Sequence, residues 1–387
     1  MNISENIRSF VRKEIVLVIS VIAALISCIF VVPDAAYFSY IDWHTLALLL
    51  SLMIVVAGLR FLGVIRIMGE WVVSHMRSRM MIASSLIGLT FACSMFITND
   101  VALITFVPFA IVVMHWAKMD VFMGPVVALM TIAANLGSMM LPMGNPQNLY
   151  LFQTSQMNVV DFVVLMAPYT GFAALLLVGF LFVLFRKSSK KTMESPGHTE
   201  KIKRRYPLGK CLRAGVYGLL FLVCLCAVAG VIEVFFTCAV VVIVALFMDI
   251  KVFKRVDYGL LCTFIALFVF VGNMGRIPLI HEVVSQLVGT APLIASVVLS
   301  QVISNVPAAL LLSGFSDQWS TLIIGTNLGG LGTLIASMAS IISFKLVTAE
   351  GLVKRSAYLK TFTWYNVIFL AALLVFYEAF TWVVNLP

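Results

Sequence analysis

The chain has 387 residues, of which 62% are hydrophobic and only 11% are charged, and its mean hydropathy is +1.07. A soluble globular domain carries about 25% charged residues, and a disordered chain combines low hydrophobicity with high charge, so this composition excludes both classes. The sequence therefore predicts an all-α polytopic membrane protein, whose net charge of +9 must be divided between the two faces of a membrane.

The apolar stretches are of two kinds, continuous and interrupted. The continuous ones are each predicted to cross the membrane as one helix, and they are 15–32, 43–62, 160–185, 213–231, 233–249, 257–273 and 363–384. The others are interrupted by Asn, Asp, Pro or Gly, and they are 79–114, 121–150, 290–314 and 319–347. Because unpaired backbone groups cannot face lipid, we expect these four to lie inside the protein, as two re-entrant helical hairpins and two discontinuous helices.

Positive charge predicts the topology, since Lys and Arg concentrate on the cytoplasmic side of a membrane protein. We place the amino terminus in the cytoplasm, let the hairpin 79–114 enter from the cytoplasmic side, and let the hairpin 290–314 enter from outside. Arg276 is then the only one of the 26 Lys and Arg residues that lies outside. The expected location is the inner (plasma) membrane, crossed several times.

The chain divides into two halves joined by a basic segment. Residues 187–212 form the longest hydrophilic stretch and are predicted to be a cytoplasmic linker, followed by a connecting span at 213–231. The halves, 14–186 and 233–385, carry the same succession of features. Because their hairpins are predicted to enter from opposite faces, the halves are predicted to be inverted repeats, which are a hallmark of secondary transporters.

Two short motifs recur in the halves. The hairpin tips pair a hydroxyl residue with Asn, as Thr98-Asn99 and Ser304-Asn305, and both discontinuous helices contain Asn-Leu-Gly, as Asn135-Leu136-Gly137 and Asn327-Leu328-Gly329. Unwound carbonyl groups and side-chain oxygens suit a cation such as Na⁺, and helix amino termini suit an anion, so we expect ligands where tips meet breaks. The alternatives are helix capping at the tips, an ordinary external loop at the first break, and close helix packing at Gly329 and Gly330 of the second break.

Asp100, directly after the first tip, is the one acidic residue deep in an apolar stretch, and no Lys or Arg is close to it in sequence. A carboxylate in that position either binds a cation or takes up a proton. Its alternative role is to cap the helix that follows the tip. The second tip has Val306 at the corresponding position, so the two tips are chemically unequal.

The sequence does not support other kinds of site. The seven Cys are expected to be packing residues and the five His are scattered, so no transition-metal site is predicted. No nucleophile–His–acid arrangement is found, so the chain is not expected to be an enzyme. The surplus of positive charge orients the protein in the membrane, and no nucleic-acid partner is expected.

The tip motifs, together with Asn135-Leu136-Gly137-Ser138 and Gly144-Asn145-Pro146-Gln147-Asn148, resemble those of the ion transporter superfamily over about residues 15–385. This superfamily includes citrate and dicarboxylate symporters, arsenite efflux permeases and sodium/proton antiporters. The resemblance implies an elevator mechanism, in which a dimeric scaffold stays still while a transport part moves. Dicarboxylate symporters have Ser-Asn-Thr at both tips, whereas Thr98-Asn99-Asp100 and Ser304-Asn305-Val306 look closer to the permease and antiporter branches.

The resemblance also implies where ligands bind. Cation-binding residues are implied at both tips and breaks, and they are Thr98, Asn99, Asp100, Asn135, Gly137, Asn145, Ser304, Asn305, Gly329 and Ser337. The substrate is expected between the tips, at Thr98, Asn99, Asp100, Asn145, Ser304, Asn305, Asn327 and Thr333. No cofactor is expected, and Na⁺ or H⁺ would be the coupling ion.

These observations predict a secondary active transporter, a permease that moves a small anion or oxyanion, such as a carboxylate or an arsenite-like species, coupled to Na⁺ or H⁺. The alternative is a sodium/proton antiporter in which Asp100 exchanges the two cations. The expected partners are the small anion, the lipid bilayer and a second copy of the chain in a homodimer.

Overall fold

The structure, a computed structural model, describes residues 14–64, 67, 70, 76, 78–186, 208–349 and 353–384. The regular structure of these residues is helical, and no strand occurs among them, as the all-α prediction requires. Within this part of the chain, nine single helices are long and apolar enough to cross a membrane. The chain is therefore a multi-span membrane protein, as its composition predicts.

The described part of the first half is a succession of helices with two breaks. In chain order they are α1 Ile15–Phe30, α2 Trp43–Leu62, α3 Arg79–Ile97, α4 Asn99–Trp116, α5 Asp120–Ser138, a 3₁₀ turn Pro142–Gly144, α6 Pro146–Ser155 and α7 Val159–Phe185. The predicted first tip is the single residue Thr98 between α3 and α4. The predicted first helix break is the stretch 139–145 between α5 and α6.

The second half follows the same plan after one extra helix. Its elements are α8 Leu208–Val228, α9 Val234–Asp249, a 3₁₀ turn Ile250–Arg255, α10 Tyr258–Gly275, α11 Pro278–Thr290, α12 Pro292–Ile303, α13 Asn305–Ser313, α14 Trp319–Leu328, α15 Met338–Ala349 and α16 Arg355–Val384. Residues 187–207 of the predicted linker lie outside the described residues. The connecting span begins at Leu208 instead of 213, because the residues before 213 continue the helix.

The two predicted hairpins differ in length. The helices α3 and α4 have 19 and 18 residues, so each is long enough to cross a membrane alone. The helices α12 and α13 have 12 and 9 residues, and each is too short to do so. In both pairs the two helices pack against each other across the tip. The re-entrant placement of the pairs stays a prediction.

The helices α1 and α10 pack together and run in the same direction, because they meet at both ends. At one end the carboxylate of Glu14, the residue before α1, lies beside Gly259 in the first turn of α10. At the other end the Asn273 side chain donates a hydrogen bond to the Ser27 hydroxyl at 2.9 Å.

The helices α2 and α9 are also parallel neighbours. Their first turns meet where the His44 and Phe235 rings lie 5.1 Å apart, and their far ends meet where the Arg255 guanidinium lies 4.9 Å from the centre of the Phe61 ring. In the order of the halves, α1 corresponds to α9 and α2 corresponds to α10. Each parallel pair thus joins a helix of one half to a helix of the other, and the inverted relation of the halves stays a prediction.

Arg276, the only cation that the charge pattern places outside, forms an ion pair with Asp34 at 2.8 Å. The same nitrogen donates to the Tyr40 hydroxyl at 3.0 Å. The hydrogen bond from Arg276 holds the pKa of Asp34 below its ordinary value. Asp34 belongs to the first connection, which carries no Lys or Arg. The contact puts both residues at the same end of α1 and α10, and the side of the membrane that this end faces stays a prediction.

The helix α5 lies at the centre of the protein. It contacts α3, α4, α7, α15 and α16, and nearly all its residues from Met123 to Ser138 are buried. The packing of the halves corresponds pair by pair: α3 lies against α5 as α12 lies against α14, and α4 against α15 as α6 lies against α13. This packing brings both tips and both helix breaks into one interior cluster.

Candidate functional site

The two hairpin tips share an unusual backbone conformation. Thr98 has φ 63° and ψ 147°, and Ser304 has φ 78° and ψ 153°. This region of backbone space is nearly reserved for glycine, and a residue held there costs about 1–3 kcal/mol. Neither hydroxyl caps the helix that follows it, so the surrounding contacts must hold both tips in place.

The first tip is fixed to the first helix break by a pair of amides. The Asn99 side chain donates to Asn135 Oδ1 at 3.0 Å, and its own Oδ1 accepts the Asp100 backbone amide at 2.9 Å. Asn99 and Asn135 are both buried. The Asp100 side chain is half-buried and has neither a hydrogen bond nor an ion pair with any residue that the structure describes. Of the side chains that begin α4, the Asp100 carboxylate is thus the one that remains open to a ligand.

The two helix breaks are joined by a reciprocal pair of side-chain hydrogen bonds. Asn135 of the first half accepts a hydrogen bond from Ser337 at 3.0 Å, and Asn327 of the second half accepts one from Asn145 at 3.1 Å. Asn145 follows Asn135 at the same sequence distance as Ser337 follows Asn327. Each Asn-Leu-Gly motif is therefore completed by the other half of the chain.

The side-chain oxygen of Asn135 is fully hydrogen-bonded near this crossing. This atom, Oδ1, accepts from both Asn99 and Ser337, and the amide nitrogen of the same side chain donates to the Gly330 carbonyl at 3.3 Å. An amide oxygen has two lone pairs, so this one offers none to a cation in the observed arrangement. The sequence implied Asn135 as a cation ligand, and the geometry favours a positioning role for its side chain.

In Asn327 it is the side-chain nitrogen that is fully used, while the oxygen accepts the one bond from Asn145. Its amide nitrogen donates to Asn148 Oδ1 at 2.5 Å and to the Ile323 carbonyl at 2.7 Å. Asn145 in turn donates to the Ser138 hydroxyl at 3.2 Å and accepts the Asn148 backbone amide at 2.9 Å, which caps α6. Buried amides linked in this way fix one geometry, because each unpaired member would carry a desolvation penalty.

The second tip is held by backbone groups and by one glutamine. The backbone N–H of Asn305 donates to the Ala336 carbonyl at 3.0 Å, and the Ser304 hydroxyl lies 3.4 Å from the same oxygen. The Gln301 side chain donates to the Gly329 and Leu331 carbonyls, both at 2.9 Å. These bonds satisfy carbonyl groups that the broken helix leaves unpaired. Sequence reasoning missed Gln301, although a glutamine three residues before a tip in an apolar helix is a usable signal.

Two glycines allow the hairpins to touch the broken helices. A Cβ atom on Gly137 would overlap the Phe91 carbonyl oxygen and lie 2.5 Å from Ser94 Oγ, and one on Gly329 would lie 2.6 Å from Ser300 Oγ. Ser94 precedes Thr98, the first tip, by the same number of residues as Ser300 precedes Ser304. These glycines therefore serve close backbone contact in both halves, an alternative that the sequence left open only for the second half.

The structure brings most of the residues proposed for the site together, with one exception. Thr333 is exposed, and its amide and hydroxyl are used to contact Gln301. Asn148 and Ser138 belong to the amide network although the sequence did not single them out as ligands. Among the described residues, no group of three His, Cys, Asp or Glu side chains lies close enough to hold a metal ion.

Replacing Asn327 with Ala should destabilise the protein by about 1–3 kcal/mol, because Asn145 and Asn148 of the opposite half would each lose a buried partner. Thermal unfolding of purified protein in detergent measures the effect. The matched control is Asn366→Ala, since Asn366 is equally buried but donates only to the Phe362 carbonyl within its own helix. Equal losses in the two variants would mean that the contact between halves adds no stability.

The sequence matches a known family of membrane transporters and several membrane proteins. The citrate transporter family matches residues 5–318 of the chain. An uncharacterized transporter of Methanocaldococcus jannaschii is 30% identical over 84% of this chain and 87% of its own length. The inner membrane protein YbiR of Escherichia coli is 29% identical over 79% of this chain and 80% of its own length. A 46 kDa membrane protein of Mycobacterium leprae is 22% identical over 80% of each chain. The match covers both tips and the first helix break, which confirms the resemblance drawn from those motifs, and the chain belongs to the citrate transporter family of the ion transporter superfamily.

Proposed function

We propose that this membrane transporter is a secondary active carrier that moves a small anion or oxyanion, coupled to Na⁺ or H⁺, by elevator-type alternating access. The observation that carries the proposal is the buried meeting point of two strained tips and two broken helices, cross-linked by Asn135 and Asn327. Polar groups are expensive inside a membrane protein, so such a concentration supports a ligand-binding role.

The charges around the tips and breaks support the binding of an anion together with a cation. The helices α4, α6, α13 and α15 all begin at the tips and breaks, and helix amino termini carry partial positive charge. Asp100 adds a carboxylate that is open to a cation or a proton. A coupling cation at Asp100 would offset the negative charge of the substrate, which is a physical reason for the two to travel together.

The helix packing supports a division into a scaffold and a transport part. The helices α1, α2, α9 and α10 pack among themselves, the tips and breaks gather around α5, and the two groups touch where α10 packs against α13 and α2 against α6. A cavity of about 90 Å³ lies between these two groups, lined by Glu14 and Gly259 on one side and by Met338 and Lys345 on the other. A narrow, partly empty boundary of this kind suits sliding of one part against the other. We propose that the scaffold forms the homodimer.

The test is uptake into proteoliposomes. We expect a labelled anion from a panel of citrate, succinate, sulfate, phosphate and arsenite to accumulate under an inward Na⁺ or H⁺ gradient. A roughly tenfold gradient supplies about 1.4 kcal/mol per coupled ion, enough for about tenfold accumulation with one ion per substrate. Protein-free vesicles and a collapsed gradient are the controls. The absence of gradient-dependent flux for every anion would refute the proposal.

The second candidate is a sodium/proton antiporter, and the open carboxylate of Asp100 is the observation that favours it. In that case no anion is needed, and Na⁺ alone should drive protons out of vesicles. A pH-sensitive dye inside the vesicles separates the two candidates. Na⁺-driven alkalinisation without any anion supports the antiporter, whereas acidification of the interior or a current that requires the anion supports the carrier.

A further inference from the structure

Gln147 stands apart from the amides that surround it. Its side chain is 1% exposed, and neither Oε1 nor Nε2 has a hydrogen-bond partner among the residues that the structure describes. Its neighbours Asn145 and Asn148 are equally buried, but both are bonded within the network of the breaks. A buried primary amide with both ends unpaired carries a penalty that native proteins normally avoid.

Helix geometry places Gln147 beside the second hairpin. Gln147 lies in the first turn of α6, which packs against α13, the helix that starts at the second tip. The Tyr150 hydroxyl, three residues later, meets the Ser313 hydroxyl of α13 at 2.8 Å. Residues three apart share a helix face, so we infer that Gln147 lies on the face of α6 that carries Tyr150, one turn closer to the helix break. The amino terminus of α6 adds the partial positive charge of its first turn at the same place.

We propose that Gln147 is a substrate-binding residue that selects an oxyacid carrying a hydroxyl group or a protonated oxygen. This inference rests on the proposed function and names the chemical class of its substrate. The amide nitrogen needs an acceptor and the amide oxygen needs a donor, so one ligand satisfies both only if it presents the two kinds of oxygen together. A fully deprotonated carboxylate or sulfate presents acceptors alone and leaves the Gln147 oxygen unpaired.

The magnitude of such discrimination is large. A site built to bond a hydroxyl rejects the analogue that lacks it by factors that reach about 10⁴, because the buried partner is left unpaired. With one oxygen of one amide involved, we expect a preference on the order of tenfold or more. Two pairs of probes isolate the effect: malate against succinate, which differ by one hydroxyl, and phosphate against sulfate, which share a tetrahedral shape but differ in protonation at neutral pH.

The experiment compares the wild-type protein with Gln147→Met and with the matched control Gln153→Met. Gln153 lies in the same helix and is half-buried. Competition against the transported anion in proteoliposomes gives the preference within each pair, and thermal unfolding without ligand gives stability. We expect the wild type and Gln153→Met to prefer malate and phosphate, and Gln147→Met to lose the preference while unfolding at the same or a higher temperature, since two unpaired polar atoms are removed.

Three results would overturn the assignment. Wild-type protein that transports anions without preferring malate or phosphate would show that Gln147 does not recognise a hydroxyl group on the substrate. An unchanged preference in Gln147→Met would mean that the amide holds only water. A lower unfolding temperature of ligand-free Gln147→Met would reveal structural partners of the amide. A wild-type protein that moves no anion at all would instead refute the proposed function, so the two failures are distinguishable.

Discussion

Asp100→Asn should abolish gradient-driven accumulation of the substrate while leaving the protein folded. The side chain keeps its shape and loses only its charge. A negative charge in the first turn of a helix stabilises it by about 0.3–1 kcal/mol, and that is the most the fold should lose. The Asp100 carboxylate has no described partner, so its removal leaves no other group unpaired. A coupling cation or proton, however, would lose its charged ligand.

Uptake with and without the ion gradient measures this effect. The variant should equilibrate the substrate across the membrane, so that the accumulation ratio falls from about tenfold to about one under a roughly tenfold gradient. The matched control is Asp120→Asn, which removes a carboxylate from the first turn of α5 that is exposed and bonded to His115 at 2.8 Å. Accumulation that persists in Asp100→Asn would mean that Asp100 does not bind the coupling ion and only stabilises the first turn of α4.

Gly137→Ala should be among the most damaging of the small substitutions at the site. The added Cβ would overlap the Phe91 carbonyl oxygen of α3, a backbone atom that cannot rotate away, and would crowd Ser94 Oγ at 2.5 Å. Overpacking of this kind typically costs about 1–3 kcal/mol, and a backbone clash belongs at the upper end of that range. We expect a lower unfolding temperature and a separation of α3 from α5.

The control for this prediction is a Gly→Ala substitution whose expected change in stability is zero or positive. Gly171 lies inside α7 with no atom within 4 Å of an added Cβ, so Gly171→Ala should leave stability unchanged or raise it by up to about 1 kcal/mol through helix propensity. Thermal unfolding of both variants gives the comparison. If Gly137→Ala unfolds at the wild-type temperature, α3 and α5 do not need their close approach.

Much of the fold follows from the sequence for simple reasons. Apolar length predicts the spans, because a helix that crosses lipid must pair all its backbone groups internally. The interruptions were also readable, since Thr98 and Ser304 stand where polar residues break an apolar run, and the structure gives both the same rare backbone conformation. Helix ends were less well predicted, as at Leu208, because charged residues can continue a helix beyond the membrane.

The contacts of the site were less predictable than its members. The structure bonds each tip to the break of its own half, Asn99 to Asn135 and Asn305 to Ala336, and it also bonds Asn145 to Asn327 and Ser337 to Asn135 across the halves. The bonds across the halves were not predicted, because periodicity carries no information about which distant segments meet. For the same reason Gln301, which bonds the Leu331 carbonyl and the Thr333 backbone amide, was not identified.

The hydrogen bonds between the two helix breaks restrict which substitutions the chain can accept at these positions. A substitution at Asn145 that removes its amide leaves Asn327 short of a partner in the other half, and the same holds for Ser337 and Asn135. The two halves cannot drift apart at these positions without a compensating change. The tips are under no such mutual constraint, and there the chain has Asp100 in one half and Val306 in the other. The halves thus keep the same residue at Asn135 and Asn327, where each accepts a bond from the other half, and they differ at Asp100 and Val306, where each half can specialise.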